Sequence, residues 1–399
     1  MSELLAIDTA LELVLEQARI LEAEDLPLTA APGRYLAEAL RATRDLPAFA
    51  GSAMDGFALR AEDTPGDFAV IGESAAGAPY AGRIGHGEAI AISTGAVIPE
   101  GADAVVPIED AWVREPGRLL EVRHQVAPGA AVRAAGSDVR SGAEVLPAGL
   151  RLTAAQIGAA ASLGAASLRC IRRPRVAVVT TGSEVRAVGE TLGPGQIYNS
   201  NGPLLQAALT AAGAEVVTVP TAADTAAAHR DALTQALDSD VLVSTGGVSV
   251  GVHDLVREIE RDLGVRELFW RIALKPGKPL SFGVRERTLV FGIPGNPVSV
   301  LVCFELFVRP ALAALQGASD PRPAYRLAAL SAPVRRSHDR DEMIRVRDLR
   351  DGRIEPLGGR QSHQLALTAL ASGLARIPAG RGELPAGTAV SYLSLTGES

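Results

Sequence analysis

The sequence predicts a multidomain chain in which a central, mostly parallel α/β domain lies between β-rich parts. Strand-like and helix-like segments alternate over residues 171–317, which favours a parallel sheet covered on both faces. Short β-like runs separated by Gly and Pro fill residues 46–139, and similar runs return over residues 324–399. Short strands with frequent turn residues favour a β-rich domain on each side of the α/β domain.

The N-terminal part is predicted to be helical. Residues 1–45 carry apolar residues at helical spacing before a break at Pro27, and residues 140–170 return to a helical pattern. We therefore expect 1–45 and 140–170 to form one helical domain, into which the β-rich domain of residues 46–139 is inserted. A Pro-rich linker, Asp320-Pro-Arg-Pro323, separates the α/β domain from the C-terminal domain.

Within the central domain, short apolar runs alternate with helical patterns. Predicted strands start at Arg175, Ala214, Asp240 and Leu289, and predicted helices cover residues 201–212, 222–237, 253–263 and 298–315. In an open parallel sheet, ligands bind outside the carboxyl ends of the strands. The loops that follow these strands are therefore the predicted ligand site.

The composition argues against several classes of protein. With 39 basic and 46 acidic residues, the net charge is −7, which argues against general nucleic-acid binding. Two cysteines that are far apart, Cys170 and Cys303, make neither a disulfide framework nor a structural zinc site. The first twenty residues lack the basic region of a signal peptide, and the most membrane-like stretch, residues 154–171, is short and polar. A cytoplasmic protein without membrane contact is predicted.

Three loops at predicted strand ends are rich in Gly, Pro and hydroxyl groups: Thr180-Thr-Gly-Ser-Glu184, Ser244-Thr-Gly-Gly-Val-Ser-Val-Gly251 and Gly292-Ile-Pro-Gly-Asn-Pro297. Gly246 and Gly247 allow the backbone to approach a ligand closely. The hydroxyls of Ser244 and Ser249, together with backbone N–H groups, suit a phosphate. Any one of these loops is equally well explained as a tight connection, but three in one domain favour an anion site.

The loop Lys275-Pro-Gly-Lys-Pro279 carries two lysines between prolines. Ammonium groups on a rigid loop suit an oxyanion. The common nucleotide fingerprints are absent, since no G-x-G-x-x-G follows the first strand, no H-E-x-x-H occurs, and Pro279 after Lys278 breaks the Walker A pattern. The predicted site is therefore not that of a standard kinase or dehydrogenase.

Five carboxylates lie in or beside loops rather than on polar helix faces: Asp55, Asp138, Glu184, Asp224 and Asp254. A phosphate-binding enzyme uses such oxygens to hold Mg²⁺ and to orient water. Helix capping explains Asp224 and Asp254 equally well, because both lie near helix starts. Asp55 precedes a glycine, which is a turn signal, and Thr94 lies in a Gly/Thr loop of the same β-rich part. Domain folding or dimerisation is needed to bring either of them to the α/β domain.

Several long motifs, ordered along the chain, resemble those of a known family. They are Ser52-Ala-Met-Asp-Gly-Phe-Ala58, Ser93-Thr-Gly95, Pro99-Glu-Gly-Ala-Asp-Ala-Val-Val106, Thr181-Gly-Ser-Glu184, Asn199-Ser-Asn201, Ser244-Thr-Gly-Gly-Val-Ser-Val-Gly251, Lys275-Pro-Gly-Lys-Pro279 and Gly292-Ile-Pro-Gly-Asn-Pro-Val-Ser299. The resemblance is to the molybdopterin molybdenumtransferases, the MoeA and gephyrin E-domain family, and it extends over nearly the whole chain.

The resemblance implies an elongated homodimer of four-part subunits. The site is then expected between the third and fourth parts of one subunit and the second part of its partner. The implied reaction takes adenylylated molybdopterin and molybdate, with Mg²⁺ as the cofactor, and yields molybdenum cofactor and AMP. Transient contacts with the adenylyltransferase and with molybdoenzyme chaperones are also expected.

The resemblance assigns roles to individual residues as well. The five carboxylates above become the catalytic set, and Glu184, Asp224 and Asp254 become the expected Mg²⁺ ligands. Together with the loop residues, the expected substrate-binding set is Thr94, Arg133, Ser244, Gly246, Gly247, Ser249, Lys275, Lys278, Pro294, Pro297 and Ser299. Molybdate is a dianion, so the two lysines are its expected partners.

Two departures separate this chain from the family pattern. Arg133-Ala-Ala-Gly136 stands where family members often carry a run of arginines. Ala366-Leu367 and Ser372 stand where they carry a serine pair and an asparagine. The candidates to compensate in the C-terminal oxyanion wall are Arg345, Arg360 and Ser362.

Two other functions remain compatible with the motifs. A molybdopterin adenylyltransferase of the same fold is usually a single α/β domain, so the extra 170 N-terminal residues favour the molybdenumtransferase. A non-catalytic pterin-binding scaffold is favoured by Ala366 and Leu367, and disfavoured by the five carboxylates and the two lysines.

Overall fold

Three six-stranded sheets form the framework of the part of the chain that the structure describes. The computed structural model describes residues 4–115, 118–218, 222, 225–246, 255–358 and 360–395. Each sheet buries an apolar cluster of its own. This arrangement confirms the predicted fold class, a multidomain chain with a central α/β domain and β-rich parts. Helices and strands are numbered in chain order.

The N-terminal part is only partly helical. Its elements are α1 (Ile7–Gln17), β1 (Ala23–Pro27), β2 (Leu40–Arg41), β11 (Glu144–Leu146), α2 (Ala154–Ser162) and β12 (Ser167–Ile171). β1 pairs antiparallel with β12, and β2 pairs antiparallel with β11. The prediction that residues 1–45 are helical is therefore wrong after Gln17. Pairing with strands far along the chain decides the structure there, and local periodicity does not reveal such partners.

Helix α1 packs on the α/β domain rather than on the N-terminal part. Its buried residues, Ile7, Ala10, Leu11 and Val14, recur at helical spacing and join the largest apolar cluster of that domain. A backbone hydrogen bond from Ala273 N–H to the Leu5 carbonyl, 2.7 Å long, adds a second tie. The start of the chain thus supports the segment that leads into the two lysines.

The inserted part is β-rich, as expected. Its strands are β3 (Gly51–Ser52), β4 (Gly56–Leu59), β5 (Gly66–Ser74), β6 (Glu88–Ile92), β7 (Ala104–Pro107), β8 (Trp112–Glu115), β9 (Leu119–Val122) and β10 (Val132–Arg133). The large sheet has the order β7-β4-β6-β5-β9-β8. A Cβ at Gly56 would lie 2.0 Å from the Val106 carbonyl oxygen, so the strand that follows Asp55 requires glycine at its start.

The α/β part consists of a mixed sheet with helices on both faces. Its elements are β13 (Arg175–Thr180), β14 (Val185–Arg186), β15 (Ile197–Tyr198), α3 (Asn201–Ala211), β16 (Glu215–Thr218), α4 (Ala226–Ala236), β17 (Val241–Thr245), α5 (Leu255–Asp262), β18 (Arg266–Trp270), β19 (Leu274–Lys275), β20 (Ser281–Arg285), β21 (Thr288–Ile293), α6 (Pro297–Cys303) and α7 (Arg309–Leu315).

The main sheet of this part has the order β16-β13-β17-β21-β20-β18. Neighbours are parallel from β16 to β21 and antiparallel from β21 to β18, so the expected mostly parallel sheet is confirmed. Helices α1, α3, α6 and α7 cover one face, and α4 and α5 cover the other. Strands β18 and β20, which form the two antiparallel pairings, were not predicted, and only β20 runs opposite to the other strands.

Helices α6 and α7 are joined by a π-helical turn at Phe304–Val308 into one run, Pro297–Leu315. The run has the length and hydropathy of a membrane span, but 72% of it is buried inside the protein, which identifies it as a core helix. The most membrane-like stretch among the described residues is therefore this one, and not residues 154–171.

The C-terminal part is a small closed sheet. Its elements are β22 (Arg326–Leu330), β23 (Val334–Arg335), β24 (Asp341–Asp348), β25 (Arg353–Pro356), α8 (Leu365–Thr368), β26 (Gly373–Ile377), β27 (Glu383–Leu384) and β28 (Ala389–Ser394). Pairing of β24 with β26 closes the order β24-β25-β22-β28-β26 into a ring. Strand β19 reaches over from the α/β part and pairs with β24, which places Lys275 opposite Glu342.

Candidate functional site

A cavity of about 630 Å³ opens at the carboxyl ends of β13, β17 and β21, where the sequence predicts ligand binding. Its described lining is polar and rich in Gly and Pro. The lining residues are Thr180, Thr181, Gly182, Glu184, Val185, Ile197, Tyr198, Asn199, Ser200, Asn201, Thr245, Gly246, Pro279, Pro294, Gly295, Asn296, Pro297 and His363. Helices α3 and α6 both begin at this rim, and the positive end of each helix dipole favours an anion.

Two asparagines hold the rim together. Asn199 donates to the Thr180 hydroxyl at 3.1 Å, and its own oxygen accepts the Gly202 N–H at 2.9 Å. Asn201 donates to the Thr245 hydroxyl at 3.1 Å and to the Gly295 carbonyl at 2.7 Å. These bonds tie the start of α3 to the ends of β13, β17 and β21. The Asn201 Oδ1 atom is buried without a hydrogen-bond partner in the described part of the chain, which leaves an oxygen available to a ligand.

Gly246 and Gly295 bring two backbones close together. Gly246 has a φ of +95°, and a Cβ there would lie 2.6 Å from the Thr181 carbonyl oxygen. At Gly295 a Cβ would meet the Gly246 Cα at 3.5 Å, which is ordinary contact. Gly246 is therefore required by conformation and by space.

The structure places Ser244 away from the cavity, contrary to the sequence-based expectation. The residue is fully buried on the face of β17 that packs against α5, and its hydroxyl donates to the Phe291 carbonyl at 3.3 Å. Because successive residues of a strand face opposite sides, Thr245 rather than Ser244 faces the ligand side. Ser299 is likewise buried within α6 and is absent from the described lining, whereas Pro294 and Pro297 line the cavity.

The predicted carboxylates separate into three groups. Glu184 lines the cavity. Asp224 and Asp254, together with Gly247 and Ser249, lie outside the described residues. Asp55 and Asp138 are exposed in or beside the inserted β-rich part and do not line the cavity of their own chain, and the same holds for Thr94 and Arg133.

A cluster of three or more His, Cys, Asp or Glu side chains suited to a metal is absent from the described residues. Among the lining residues, Glu184 supplies a carboxylate, and Asn201 supplies a buried oxygen, Oδ1, that has no partner within the described residues. Mg²⁺ prefers oxygen ligands and usually binds through one or two carboxylates plus substrate phosphates. The described lining therefore fits Mg²⁺ held jointly with a phosphorylated ligand.

A cationic cleft lies beside the cavity, between the α/β part and β24. Lys275 Nζ lies 3.4 Å from the buried Glu342 carboxylate, which Arg360 also binds through Nε at 2.9 Å and through Nη2. Arg345 is buried at the same cleft, and burial lowers its pKa. Lys278 is exposed and forms no ion pair within the described residues.

Lys275 and Lys278 are the only lysines of the chain, whose other basic residues are all arginines. Arginine and lysine are not interchangeable at anion sites, since lysine presents a compact point charge and arginine a planar fork. Because both lysines of the chain lie in one five-residue loop, we infer that this loop needs ammonium groups rather than guanidinium groups. This signal is visible in the composition of the chain alone.

His363 is the site residue that the sequence analysis missed. It comes from the C-terminal part and reaches the rim of the cavity. Its neighbour Ser362 accepts the Val298 N–H through its carbonyl oxygen at 3.1 Å, which joins this segment to the start of α6. Ala366 and Leu367 lie in the short helix α8 and do not line the cavity.

Comparison with known proteins agrees with this architecture. The family model for the MoeA N-terminal region (domain I and II) matches residues 5–164, the one for a probable molybdopterin binding domain matches residues 177–314, and the one for the MoeA C-terminal region (domain IV) matches residues 328–395. Together the three models account for most of the chain, in the order of its structural parts.

Individual relatives match over nearly the full length. Molybdopterin molybdenumtransferase 2 of Mycobacterium tuberculosis is 38% identical over 404 residues, covering 96% of this chain and 98% of the relative. Molybdopterin molybdenumtransferase of Haemophilus influenzae is 36% identical over 82% of each chain. The crystal structure of a molybdopterin biosynthesis MoeA protein from Pyrococcus horikosii superposes with a TM-score of 0.85 at 31% identity, covering 99% of this chain and all of that one.

Proposed function

This chain belongs to the MoeA family, and we propose that it is a molybdenumtransferase that acts in molybdenum cofactor biosynthesis. Its substrates are adenylylated molybdopterin and molybdate, and its products are molybdenum cofactor and AMP. The pterin dithiolene takes up the metal as oxygen ligands of molybdate leave, and water cleaves the pyrophosphate link to release AMP. We further propose a cytoplasmic location and transient contacts with the adenylyltransferase and with molybdoenzyme chaperones.

One observation carries this proposal: a single loop joins the cavity to the cationic cleft. Lys275 lies at the Glu342–Arg360 end of the loop, and Pro279 lines the cavity at the other end. A phosphorylated pterin in the cavity would therefore place its dithiolene next to cations suited to a molybdate dianion. Lys278, exposed between these ends, is the side chain best placed to contact both anions.

Mg²⁺ would be held by Glu184, together with Asp224 and Asp254, which come after β16 and β17 in the sequence and lie outside the described residues. When bound, the ion neutralises charge on the phosphates and on the departing AMP. The chain's own contribution at the phosphates is the positive dipole ends of α3 and α6, both of which begin at the rim of the cavity. The hydroxyls of Thr180 and Thr245 are already engaged by the two asparagines, so their role is to hold the rim.

A homodimer would complete the catalytic set. Asp55, Thr94, Asp138 and Arg133 do not reach the cavity of their own chain, so they act at a partner's cavity in this proposal. Mixing Asp55→Asn protein with Glu184→Gln protein tests the idea. If the site is shared, the mixture regains part of the activity that each variant lacks, because some dimers contain one intact site. Two inactive variants that stay inactive after subunit exchange would contradict it.

The activity itself is tested with purified protein, adenylylated molybdopterin, molybdate and Mg²⁺ under anaerobic conditions. We expect release of AMP that depends on molybdate, together with a product that activates an apo-molybdoenzyme. A protein that binds the pterin but releases no AMP would instead be the non-catalytic scaffold. A protein that consumes ATP and molybdopterin to form the adenylylated pterin would be the adenylyltransferase.

The lysines give a sharper test of the oxyanion subsite. Lys278→Arg keeps the charge but replaces the compact ammonium with a larger, planar group. We expect it to raise the KM for molybdate about tenfold or more, because a contact with a charged group is lost or displaced. Arg350→Lys, at an exposed turn before β25, is the matched control and should leave the KM unchanged. Equal KM values for all three proteins would remove Lys278 from the site.

A further inference from the structure

The cavity has one feature that the proposed function does not explain. Among its described lining residues, His363 is the only side chain that can carry a positive charge, and Glu184 is the only carboxylate. Lys275, Lys278 and Arg345 all lie outside that lining. Within the described lining, a pyrophosphate group in this cavity would thus meet backbone groups and neutral amides and hydroxyls, with His363 as the one lining side chain that can carry a positive charge.

The backbone that carries His363 is held firmly on two sides. The Val298 N–H donates to the Ser362 carbonyl at 3.1 Å, which fixes the segment to the start of α6. On the other side, Arg345 donates through Nη1 to the Gln364 carbonyl at 2.5 Å. Burial of Arg345 makes this second contact part of the interior of the C-terminal domain. The position of the His363 backbone is therefore determined by both domains that border the cavity.

The imidazole itself is exposed, and no hydrogen bond or ion pair engages it within the described residues. A histidine that stabilised the fold would show such a partner or would be buried, as His229 is. A fixed backbone with an uncommitted polar side chain at the mouth of a cavity is the arrangement of a ligand-binding residue.

We propose that His363 donates an N–H hydrogen bond to a phosphate oxygen of the pterin nucleotide bound in the cavity. This inference rests on the proposed function, since it takes the phosphorylated pterin as the occupant. Imidazole carries at least one N–H donor whether it is neutral or protonated, so the proposed bond does not require a charged ring. His363 thereby takes part of the substrate-holding role in the C-terminal wall, near the segment where Ala366 and Leu367 depart from the family pattern.

The experiment measures ligand binding to the full-length protein by calorimetry, with adenylylated molybdopterin, AMP and adenosine as three separate probes in the presence of Mg²⁺. We expect His363→Ala to weaken binding of the adenylylated pterin or of AMP about tenfold to a hundredfold, which is the usual loss for a hydrogen bond to a charged group. Adenosine has no phosphate, so its affinity should not change. His363→Gln keeps an N–H donor and should lose less.

His338→Gln is the matched control, because His338 is another exposed histidine of the C-terminal part that does not line the cavity. Unchanged binding of both phosphorylated probes to His363→Ala would overturn the inference. An equal loss with adenosine would also overturn it, since the ring would then contact the base. Failure of the proposed function is distinguished separately, because it appears as wild-type protein that releases no AMP in the turnover assay.

Discussion

The carboxylate of Asp55 accepts two hydrogen bonds from Thr94, one from the backbone N–H at 2.6 Å and one from the hydroxyl at 2.9 Å. Both bonds favour the ionised carboxylate, and they hold the pKa of Asp55 below its ordinary value, with the backbone bond as the larger cause. The two residues come from different loops of the inserted β-rich part. Together they present an oriented negative group on the surface of that part.

Removing the Thr94 hydroxyl should raise the pKa of Asp55. In Thr94→Val the backbone bond remains, so the pKa should rise only part of the way towards the value of an ordinary aspartate. Thr94→Ser keeps the hydroxyl and should leave the pKa near that of the wild type. A carboxyl-carbon NMR titration measures all three proteins. An unchanged titration in Thr94→Val would show that the hydroxyl bond does not form in solution.

At Gly246, we expect a single added methyl group to distort the wall of the cavity. Gly246→Ala places a side chain at φ +95° and a Cβ 2.6 Å from the Thr181 carbonyl oxygen. Strain of this kind costs about 1–3 kcal/mol per residue, and the strand end must also shift. We expect a lower free energy of unfolding in urea and weaker pterin binding.

Gly295→Ala is the control for that prediction, because its Cβ would make only an ordinary 3.5 Å contact with Gly246. It should change stability by less than half as much. If both variants were equally stable, the close approach at Gly246 would be of no energetic importance.

In the described part of the chain, Glu342 is the one carboxylate that forms an ion pair with both Lys275 and Arg360. Glu342→Gln would remove the buried partner that Lys275 and Arg360 share, and the two cations left behind are 39% and 34% exposed. Solvent therefore offsets part of the roughly 3–5 kcal/mol that breaking a fully buried pair costs, and we expect a loss of about 1–3 kcal/mol. We also expect weaker molybdate binding, because the two cations lose the carboxylate that positions them. Urea unfolding and oxyanion binding measure the two effects.

The exposed pair of Glu355 and Arg347 provides the contrast, with 3.3 Å between the charged atoms. Surface pairs of this kind contribute about 0–1 kcal/mol. Glu355→Gln should therefore unfold almost as the wild type does. A comparable loss in both variants would mean that burial of Glu342 is not the cause.

The sequence was sufficient to predict the α/β sheet and its ligand edge, because continuous apolar strands and Gly-rich loops are local signals. It was not sufficient to predict where the Ser244 side chain points, because that depends on which face of β17 packs against α5. It also missed His363, since nothing local shows that this segment crosses to the start of α6. Both failures have one cause: they concern contacts between elements that are distant in sequence.

The same limitation applies to the first helix. The spacing of Ile7, Ala10, Leu11 and Val14 predicts an amphipathic helix correctly but cannot say which domain its apolar face covers. The helix predicted within residues 1–45 exists only over Ile7–Gln17, and the later segments of that range include the strands β1 and β2. The roles of Asp55 and Thr94 stay predictions, because neither residue lines the cavity of its own chain.

The raised pKa of the buried Glu260 carboxyl predicts that the free energy of unfolding depends on pH. Glu260 is buried on α5 against Ser244, and burial, helped by the nearby Glu267, raises its pKa to about 8, while Arg257 and the Ser244 hydroxyl act in the opposite direction. The folded protein therefore keeps a proton on Glu260 that the unfolded chain, with an ordinary glutamate pKa of 4.5, has released. Unfolding releases this proton between these two values, so the contribution of Glu260 to stability should fall as pH rises from about 4.5 to about 8. The slope is at most about 1.4 kcal/mol per pH unit.

Glu260→Gln should flatten this part of the urea-unfolding profile, and Glu258→Gln, at an exposed position of the same helix, should not. If the wild type and Glu260→Gln had parallel profiles, Glu260 would not hold a proton in the folded state at neutral pH.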